Sequence, residues 1–408
     1  MRPFHENAFA AGKVNAGLFA PLMEQAPLLV ELRRPVDLSQ QERRRWTELS
    51  LRAAPGNIFA ADWFMDSALR HHGTTSSLRL AIVRTPAGDW VGVIPMTLKA
   101  SIDRRPVPNW QGWHAPSPSI GTPLVLPGAE KAFWQALLDH FDRRPGLAVG
   151  LYCDALPDDL AVTLALASLC AEQGRKLHHL DSFTRPARRT VPFPDPGPAM
   201  IAATRALDQE LDQIEARLTD TLGPVSLVLH ESTEDCEPWL AAFFALERAG
   251  ERARAARAKG ITPATSALFR DVVRHASRRG IARLASLRAG EQIVAMTCWL
   301  TSGRYGYGLR MAHDETMAHF VPDRLLMRRV ARMTSAEPLV LFDSCAPRGT
   351  ECDPLWPDER RLGGIAVGIG SASRRKLFDA LVGARQRWST FRPFRPTLTE
   401  PILAQRKK

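Results

Sequence analysis

Two short stretches about 200 residues apart constrain this chain more than any other feature. Leu80-Ala-Ile-Val-Arg84, a turn, and Gly88-Asp-Trp-Val91 recur as Leu284-Ala-Ser-Leu-Arg288, a turn, and Gly290-Glu-Gln-Ile293. Each copy has two apolar runs joined by a tight turn, the sequence form of a β-hairpin. Each follows a stretch of helical periodicity, residues 62–72 and 263–279. The spacing is far too long for a solenoid repeat, so it predicts a duplicated domain. A chain of 408 residues, 45% hydrophobic, can fill two cores.

The rest of the chain fits that plan. Residues 40–53 read as a helix, with Ser39 as N-cap and Glu42 closing a capping box. Further helices are predicted over 130–141, 160–174, 204–222, 237–249 and 323–334. Strands are predicted over 148–153, 303–310 and 338–342. Residues 183–198 are dense in proline and arginine and read as a surface connector. The expected organisation is an irregular lead-in over 1–36, a first domain over 37–200, a second over 201–383 and a basic tail over 384–408.

Composition narrows the function. The net charge is +11, 54 basic against 43 acidic residues, which favours anionic partners. No basic run interleaved with aromatics and no nucleic-acid motif is present, so a nucleic-acid partner is not expected. The six cysteines (153, 170, 236, 298, 345 and 352) include no C-x-x-C pair, so neither a zinc site nor a disulfide framework is indicated. The N-terminus lacks a secretory pattern and no run reaches the ~18 apolar residues of a span. A cytoplasmic protein without membrane insertion is expected. P-loop, dinucleotide-fingerprint, H-E-x-x-H and G-x-S-x-G motifs are absent, which argues against those chemistries.

The candidate chemistry gathers near the C-terminal end. The apolar run from Leu339 to Phe342 stops at Asp343, Ser344 and Cys345, and open α/β sheets build sites where strands end. A charge there is costly unless it lies in a cleft or is paired, so Asp343 reads either as a base or as an ion-pair partner of Arg348, Arg360 or Arg361. His313, after the strand at 303–310, is a second candidate for moving protons. Tyr305 and Tyr307 share one face of that strand, either as core or with a phenol in the site. Trp356 with Arg360 and Arg361 reads either as an acceptor pocket, aromatic and basic, or as a loop pinned by a tryptophan. Cys345 and Arg348 are counted with that acceptor side; Cys345 is otherwise a core filler or a nucleophile.

The run ending Asp343-Ser-Cys-Ala346, the following Leu355-Trp-Pro-Asp-Glu-Arg-Arg361, and the segment 303–329 resemble the CelD/BcsL-like branch of the GNAT acyltransferases. The resemblance covers roughly residues 45–370. It implies an α/β (α+β) protein of two tandem GNAT-like domains, each a twisted mixed sheet with flanking helices. It further implies transfer of an acyl group, most simply acetyl, from acyl-CoA to an amine or hydroxyl of a saccharide or other polar metabolite. A metal is not implied. Cellulose or exopolysaccharide production is the association of that branch. By this resemblance Val321, Pro322, Asp323, Arg324 and Leu325 begin the helix that holds the CoA pyrophosphate, and Tyr307 protonates the departing thiolate. Relatives have Ser-Pro-Gly at 321–323, so Asp323 departs from the pattern, with Arg324, Arg328 and Arg329 as compensating charges. Two other classes remain: a FemX-like transferase using aminoacyl-tRNA, and a non-catalytic binding protein of the same fold.

Overall fold

The computed structural model describes residues 27–53, 56–72, 77–102, 105–115, 119–190, 197–249, 262–349 and 353–389. The lead-in up to residue 26, the cap expected at Gly73, Cys352 and the tail from 390 lie outside the described residues. The first half runs β1 (Leu29–Arg33), α1 (Gln40–Arg52), α2 (Asp62–His72), β2 (Arg79–Arg84), β3 (Trp90–Lys99), β4 (Asn109–Gly112), β5 (Leu124–Val125), α3 (Glu130–Arg143), β6 (Gly150–Pro157), α4 (Ala161–Glu172) and β7 (Leu177–Arg189). The second runs α5 (Pro198–Leu222), β8 (Val225–His230), α6 (Cys236–Arg248), α7 (Pro263–Arg278), β9 (Ala282–Ala289), β10 (Gln292–Ser302), β11 (Tyr305–His313), α8 (Pro322–Ala336), β12 (Leu341–Asp343), β13 (Asp358–Gly368) and α9 (Ala372–Ser389).

Local chemistry explains the elements the sequence announced. Ser39 and Glu42 form the expected reciprocal capping box on α1. Both hairpins form, β2 with β3 and β9 with β10. The second turn needs its glycine: Gly290 has φ 54°, and a Cβ there would lie 2.1 Å from the Leu222 carbonyl oxygen.

The mixed α/β fold is organised on one sheet, ordered β1-β2-β3-β4-β6-β13-β7-β12-β11-β10-β9-β8, with β5 beside β3. The order is palindromic: β1 matches β8, β2 matches β9, β3 matches β10, β4 matches β11, and β6 matches β12. The duplication is therefore visible in topology. Each half contains one parallel pair, β4 with β6 and β11 with β12. The centre is an exchange. β13, from the end of the second half, lies between β6 and β7, and β7, from the first half, pairs with β12.

This exchange revises two expectations. Residues 183–189 are not a surface connector but the end of the central strand β7. Pro186 lacks a donor, yet its carbonyl still accepts from Ser344 N–H, and the alternating arginines find carboxylates on neighbouring segments. Arg360 and Arg361 likewise belong to a strand rather than a loop, so they point to opposite faces: Arg360 is buried and Arg361 exposed. The edge strand β1 also falls within the expected irregular lead-in, where Val30, Glu31 and Leu32 pair with Val83, Ile82 and Ala81.

Helices close both faces. In the second half α5 and α8 pack with Trp299, Phe342 and Trp356, while Phe243, Phe269 and Val273 of α6 and α7 pack with Met296 and Cys298. Asp271 of α7 accepts from His71 of α2 at 2.7 Å, which ties the helices of the two halves together. Among the described residues no helix is long and apolar enough to cross a membrane.

Candidate active site at the junction of the two halves

β11 and β12 pair in parallel through three registers, ending at Tyr307 opposite Asp343. There they part: β12 stops, and β11 continues to His313 past an irregularity opposite Cys298 and Trp299. The strands are close at the fork, since a Cβ on Gly308 would lie 2.6 Å from the Ser344 carbonyl oxygen. Asp343 turns the chain away by accepting the Cys345 N–H at 2.8 Å, which holds Cys345 at φ 54°. Alternation along β12 sends Phe342 to one face and Asp343 to the other.

On the Asp343 face lies a buried charge cluster. Arg360 Nη1 donates to Asp343 Oδ2 at 3.1 Å, and both side chains are fully buried. Arg185 Nη1 stands 3.7 Å from the same oxygen. Arg185 and Arg360 are direct cross-strand partners on β7 and β13, so Asp343 bridges two like charges. The Arg360 guanidinium also lies 5.5 Å from the centre of the Tyr307 ring, on its face. Tyr307 is fully buried, meets Phe59 edge-on at 5.0 Å and donates its hydroxyl to the Gly56 carbonyl of the first half. Burial pushes the Tyr307 phenol well above its usual range. Burial, with the neighbouring Asp343 charge, does the same to the Cys345 thiol, which keeps it from being a thiolate nucleophile.

The expected site is thus brought together only in part. Asp343, Tyr307, Arg360 and Cys345 meet. Asp343 is an anchor already engaged by Arg360, Arg185 and a backbone N–H, rather than an open base. His313 is not in the group: it sits six residues beyond Tyr307, about 20 Å along the strand at ~3.3 Å per residue. Its Nδ1 faces Asp323 Oδ2 at 3.7 Å. Arg348 pairs with Glu359 at the surface. Trp356 stacks on Phe342 at 4.8 Å, with planes 7° apart, on the face away from Asp343. It pins the core rather than lining a pocket with Arg360.

An acyl-CoA would set its pyrophosphate on the first turn of α8, and that turn does not fit the group. Pro322 offers no N–H, and the N–H groups of Arg324 and Leu325 both go to the Val321 carbonyl. Asp323 adds a negative charge to the first turn, and the Leu325 side chain is core. The compensating arginines are drawn elsewhere: Arg324 to Glu210, Arg328 to Asp212 and Glu215, and Arg329 to Glu215, all on α5. Beyond Tyr307, by contrast, β11 has no strand partner on its β12 side among the described residues. That edge leaves backbone groups for an extended acyl-bearing arm.

Sequence reasoning missed Arg185, His114 and Asp154. His114 follows β4, and Asp154 lies on β6, at the fork of the first half's parallel pair. His114 Nδ1 contacts the Ala115 carbonyl at 2.9 Å, so that nitrogen carries a proton. Nε2 faces Asp154 Oδ1 at 3.3 Å, and the two side chains keep 24% and 30% of their surface open. Burial alone would lower the His114 pKa, but Asp154 and the Ala115 carbonyl overcome it and raise it, against an opposing push from Arg185. Burial likewise would raise Asp154, and His114 overcomes it to hold the carboxyl low. A Cβ on Gly121 would lie 2.0 Å from the Asp154 carbonyl oxygen, so the loop after His114 packs hard against β6. One signal was available: Asp154 interrupts the apolar run of β6, as Asp343 ends that of β12.

Residues 209–351 match the acetyltransferase (GNAT) domain family. The matched span holds β11, β12, α8 and Asp343. No curated protein matches the chain. Among solved structures, it is similar to a conserved protein of unknown function from Bacteroides thetaiotaomicron, with 8% identity and a TM-score of 0.50 over 84% of this chain and 100% of that one. It is also similar to a tandem GNAT protein from the clavulanic acid biosynthesis pathway, at 17% identity and TM-score 0.38 over 85% and 99% of the two chains. FemX gives 9% identity and TM-score 0.47 over 83% and 98%. At these identities the likeness concerns the fold.

Proposed function

We propose that this protein is an acyltransferase that moves an acyl group to an amine or hydroxyl at the junction of its two halves. The observation that carries the reading is the fork after Tyr307 and Asp343, inside the span that matches the acetyltransferase domain family. A saccharide or other polar metabolite is the acceptor class, and the cytoplasm the compartment, in keeping with the CelD/BcsL-like resemblance.

In this reading Asp343, Arg360 and Tyr307 position rather than react. Their mutual pairing holds β7, β11, β12 and β13 in one geometry, and the Tyr307 hydroxyl fastens the fork to Gly56. The proton is handled by His114 and Asp154, which are near enough to Arg185 to feel its charge and open enough to meet substrate. The new N–C or O–C bond forms as the bond to the leaving group breaks. The leaving group departs with the electron pair and takes a proton from His114. The nucleophile's lost proton restores the imidazolium.

A second reading, aminoacyl transfer from an aminoacyl-tRNA, is favoured by one observation: the first turn of α8 carries Asp323 where a CoA pyrophosphate needs neutral backbone. Calorimetric titration with acetyl-CoA, at low and moderate salt, separates the readings. Saturable binding that survives salt, and that tightens about tenfold in Asp323→Gly, supports an acyl-CoA donor; tenfold corresponds to ~1.4 kcal/mol. Absence of acetyl-CoA binding in both proteins, with salt-sensitive binding of aminoacyl-tRNA, supports the second.

A further inference from the structure

One end of the molecule, away from the junction, gathers exposed apolar side chains and positive charge in the same place. Gly150, Leu177 and Gly368 meet there, where β6 and β7 start and β13 ends. Gly368 lies eight residues beyond Arg360, about 25 Å along the strand at ~3.3 Å per residue. Helix α9 begins just after it and presents Leu377, 52% exposed, and Leu381, 42% exposed, on successive turns. Arg374, one turn before Leu377, donates through Nη2 to the carbonyls of Gly146 and Ala148 at 3.0 and 2.8 Å. That clamp holds the loop after α3 against the start of α9 and leaves Leu147, between the two carbonyls, 79% exposed. Phe378 and Val382 turn inward instead and pack with Tyr152 and Ala366 of the sheet.

The charge around these leucines is one-sided. Residues 139–148, 174–176 and 371–381 hold seven basic residues against three acidic. Two of the acidic ones are committed. Asp142 accepts from Arg175, Arg375 and the Gly370 N–H, and Asp379 pairs with His178 at 2.7 Å. Arg143, Arg144, Lys176 and Lys376 are exposed. Lys176 and Lys376 line one cavity of about 150 Å³ together with Arg175 and Arg375. The sequence after α9, 390–408, adds five basic residues against one acidic.

We propose that this end of the molecule docks on an anionic lipid surface, with Leu147, Leu377 and Leu381 entering the headgroup layer and the surrounding arginines and lysines meeting lipid phosphates. Grouped exposed leucines mark a contact surface. Basic side chains gain from the negative potential of such a surface, and leucines gain by leaving water. Either signal alone binds weakly, and here the two are interleaved. A nucleic acid would match the charge but leave the leucines wet. It also stacks on aromatic side chains, and none of the exposed large apolar side chains among the described residues is aromatic. The surface is separate from the candidate active site, so the inference stands apart from the acyl-transfer reading.

Co-flotation of the full chain with vesicles tests it, comparing phosphatidylcholine alone with phosphatidylcholine containing about one third phosphatidylglycerol. Association is expected only with the anionic vesicles and is expected to fall as salt rises. Leu147→Ser with Leu377→Ser and Leu381→Ser is expected to lower the partition at least about tenfold. Arg143→Gln with Arg144→Gln and Lys376→Gln is expected to lower it by a similar factor, again about tenfold or more. Each set is an independent test, so a variant that fails to fold leaves the other to decide. Equal association with both vesicle types, or folded variants that bind as the parent does, overturns the proposal. Loss in the charge variant alone, with bulk tRNA displacing the vesicles, assigns the face to a nucleic acid and overturns it too. So does a vesicle-free dimer that the leucine variant dissociates, which would assign the face to a second copy of the chain.

Discussion

The two parallel forks of this molecule occupy equivalent places in a palindromic sheet and are built in opposite ways. The second, β11 with β12, ends in a sealed cluster in which Asp343, Arg360 and Tyr307 have essentially no solvent contact. The first, β4 with β6, ends in His114 and Asp154, a charged pair that keeps about a quarter of its surface open. Both forks carry a carboxylate at or just past the last paired register, Asp343 at the end of β12 and Asp154 within β6, and a non-glycine residue at positive φ, Cys345 at 54° and Ala155 at 50°. The difference is solvent, and solvent separates a role in holding the fold from a role in moving protons. A sealed ion pair holds strands together but exchanges protons poorly; a half-open one does the reverse. Arg185 lies between them, 3.7 Å from Asp343 and within electrostatic reach of His114.

The sharpest way to break this contrast is to unpair the sealed fork. Arg360→Met keeps the stem's bulk and leaves Asp343 without its closest cation. Removing one partner of a buried ion pair costs about 3–5 kcal/mol. Urea denaturation should show a midpoint shift of that size with an unchanged slope. A loss under about 1 kcal/mol would mean that the cluster is not the anchor described here. Tyr307→Phe is the milder version at the same fork. It removes only the hydroxyl that donates to Gly56 and leaves that carbonyl unsatisfied, for an expected loss of about 1–3 kcal/mol. Equal stability of the Phe variant would remove the hydroxyl from the link between halves.

The contrast also explains what could be read in the chain. The hairpins and the α1 cap were legible because turn glycines, apolar alternation and a Ser-x-x-Glu box act over a few residues. Duplication was legible because such local signals recur. The exchange of β7 and β13 was not. Phe183–Arg189 carries Pro186 and three arginines, and what makes it a central strand is the presence of Asp343, Asp358 and Asp159, far away in sequence. The same long-range pairing hid the site. Asp343 could be singled out, but its commitment to Arg360 and Arg185 depends on strands absent from local pattern. The basic face of α8 looked available to phosphate because nothing local shows that the acidic residues of α5 lie against it.

The smallest expected effect tests the open fork. The groups facing His114 are Asp154 on β6, the Ala115 carbonyl and, acting against them, Arg185 on β7; Gln111 on β4 supports Asp154. His114 has a raised pKa when folded, so its pairing stabilises fully below the ordinary histidine value and fades as pH rises through the raised one. Asp154 has a lowered pKa, so its share is complete above the ordinary carboxylate value and fades as pH falls through the lowered one. The pair therefore works in the window between the lowered Asp154 value and the raised His114 value. Asp154→Asn should remove no more than about 1 kcal/mol, as for other solvent-reached pairs, and only inside that window. It should also bring the His114 titration, followed by ring nitrogen NMR, down to or below the ordinary histidine value, because burial and Arg185 then outweigh the Ala115 carbonyl. If His114 donates the proton to the leaving group, the alkaline limb of the turnover profile moves down with it. A His114 titration that ignores the Asp154 substitution would make the first fork as inert toward protons as the second, and the contrast between them would be one of exposure alone.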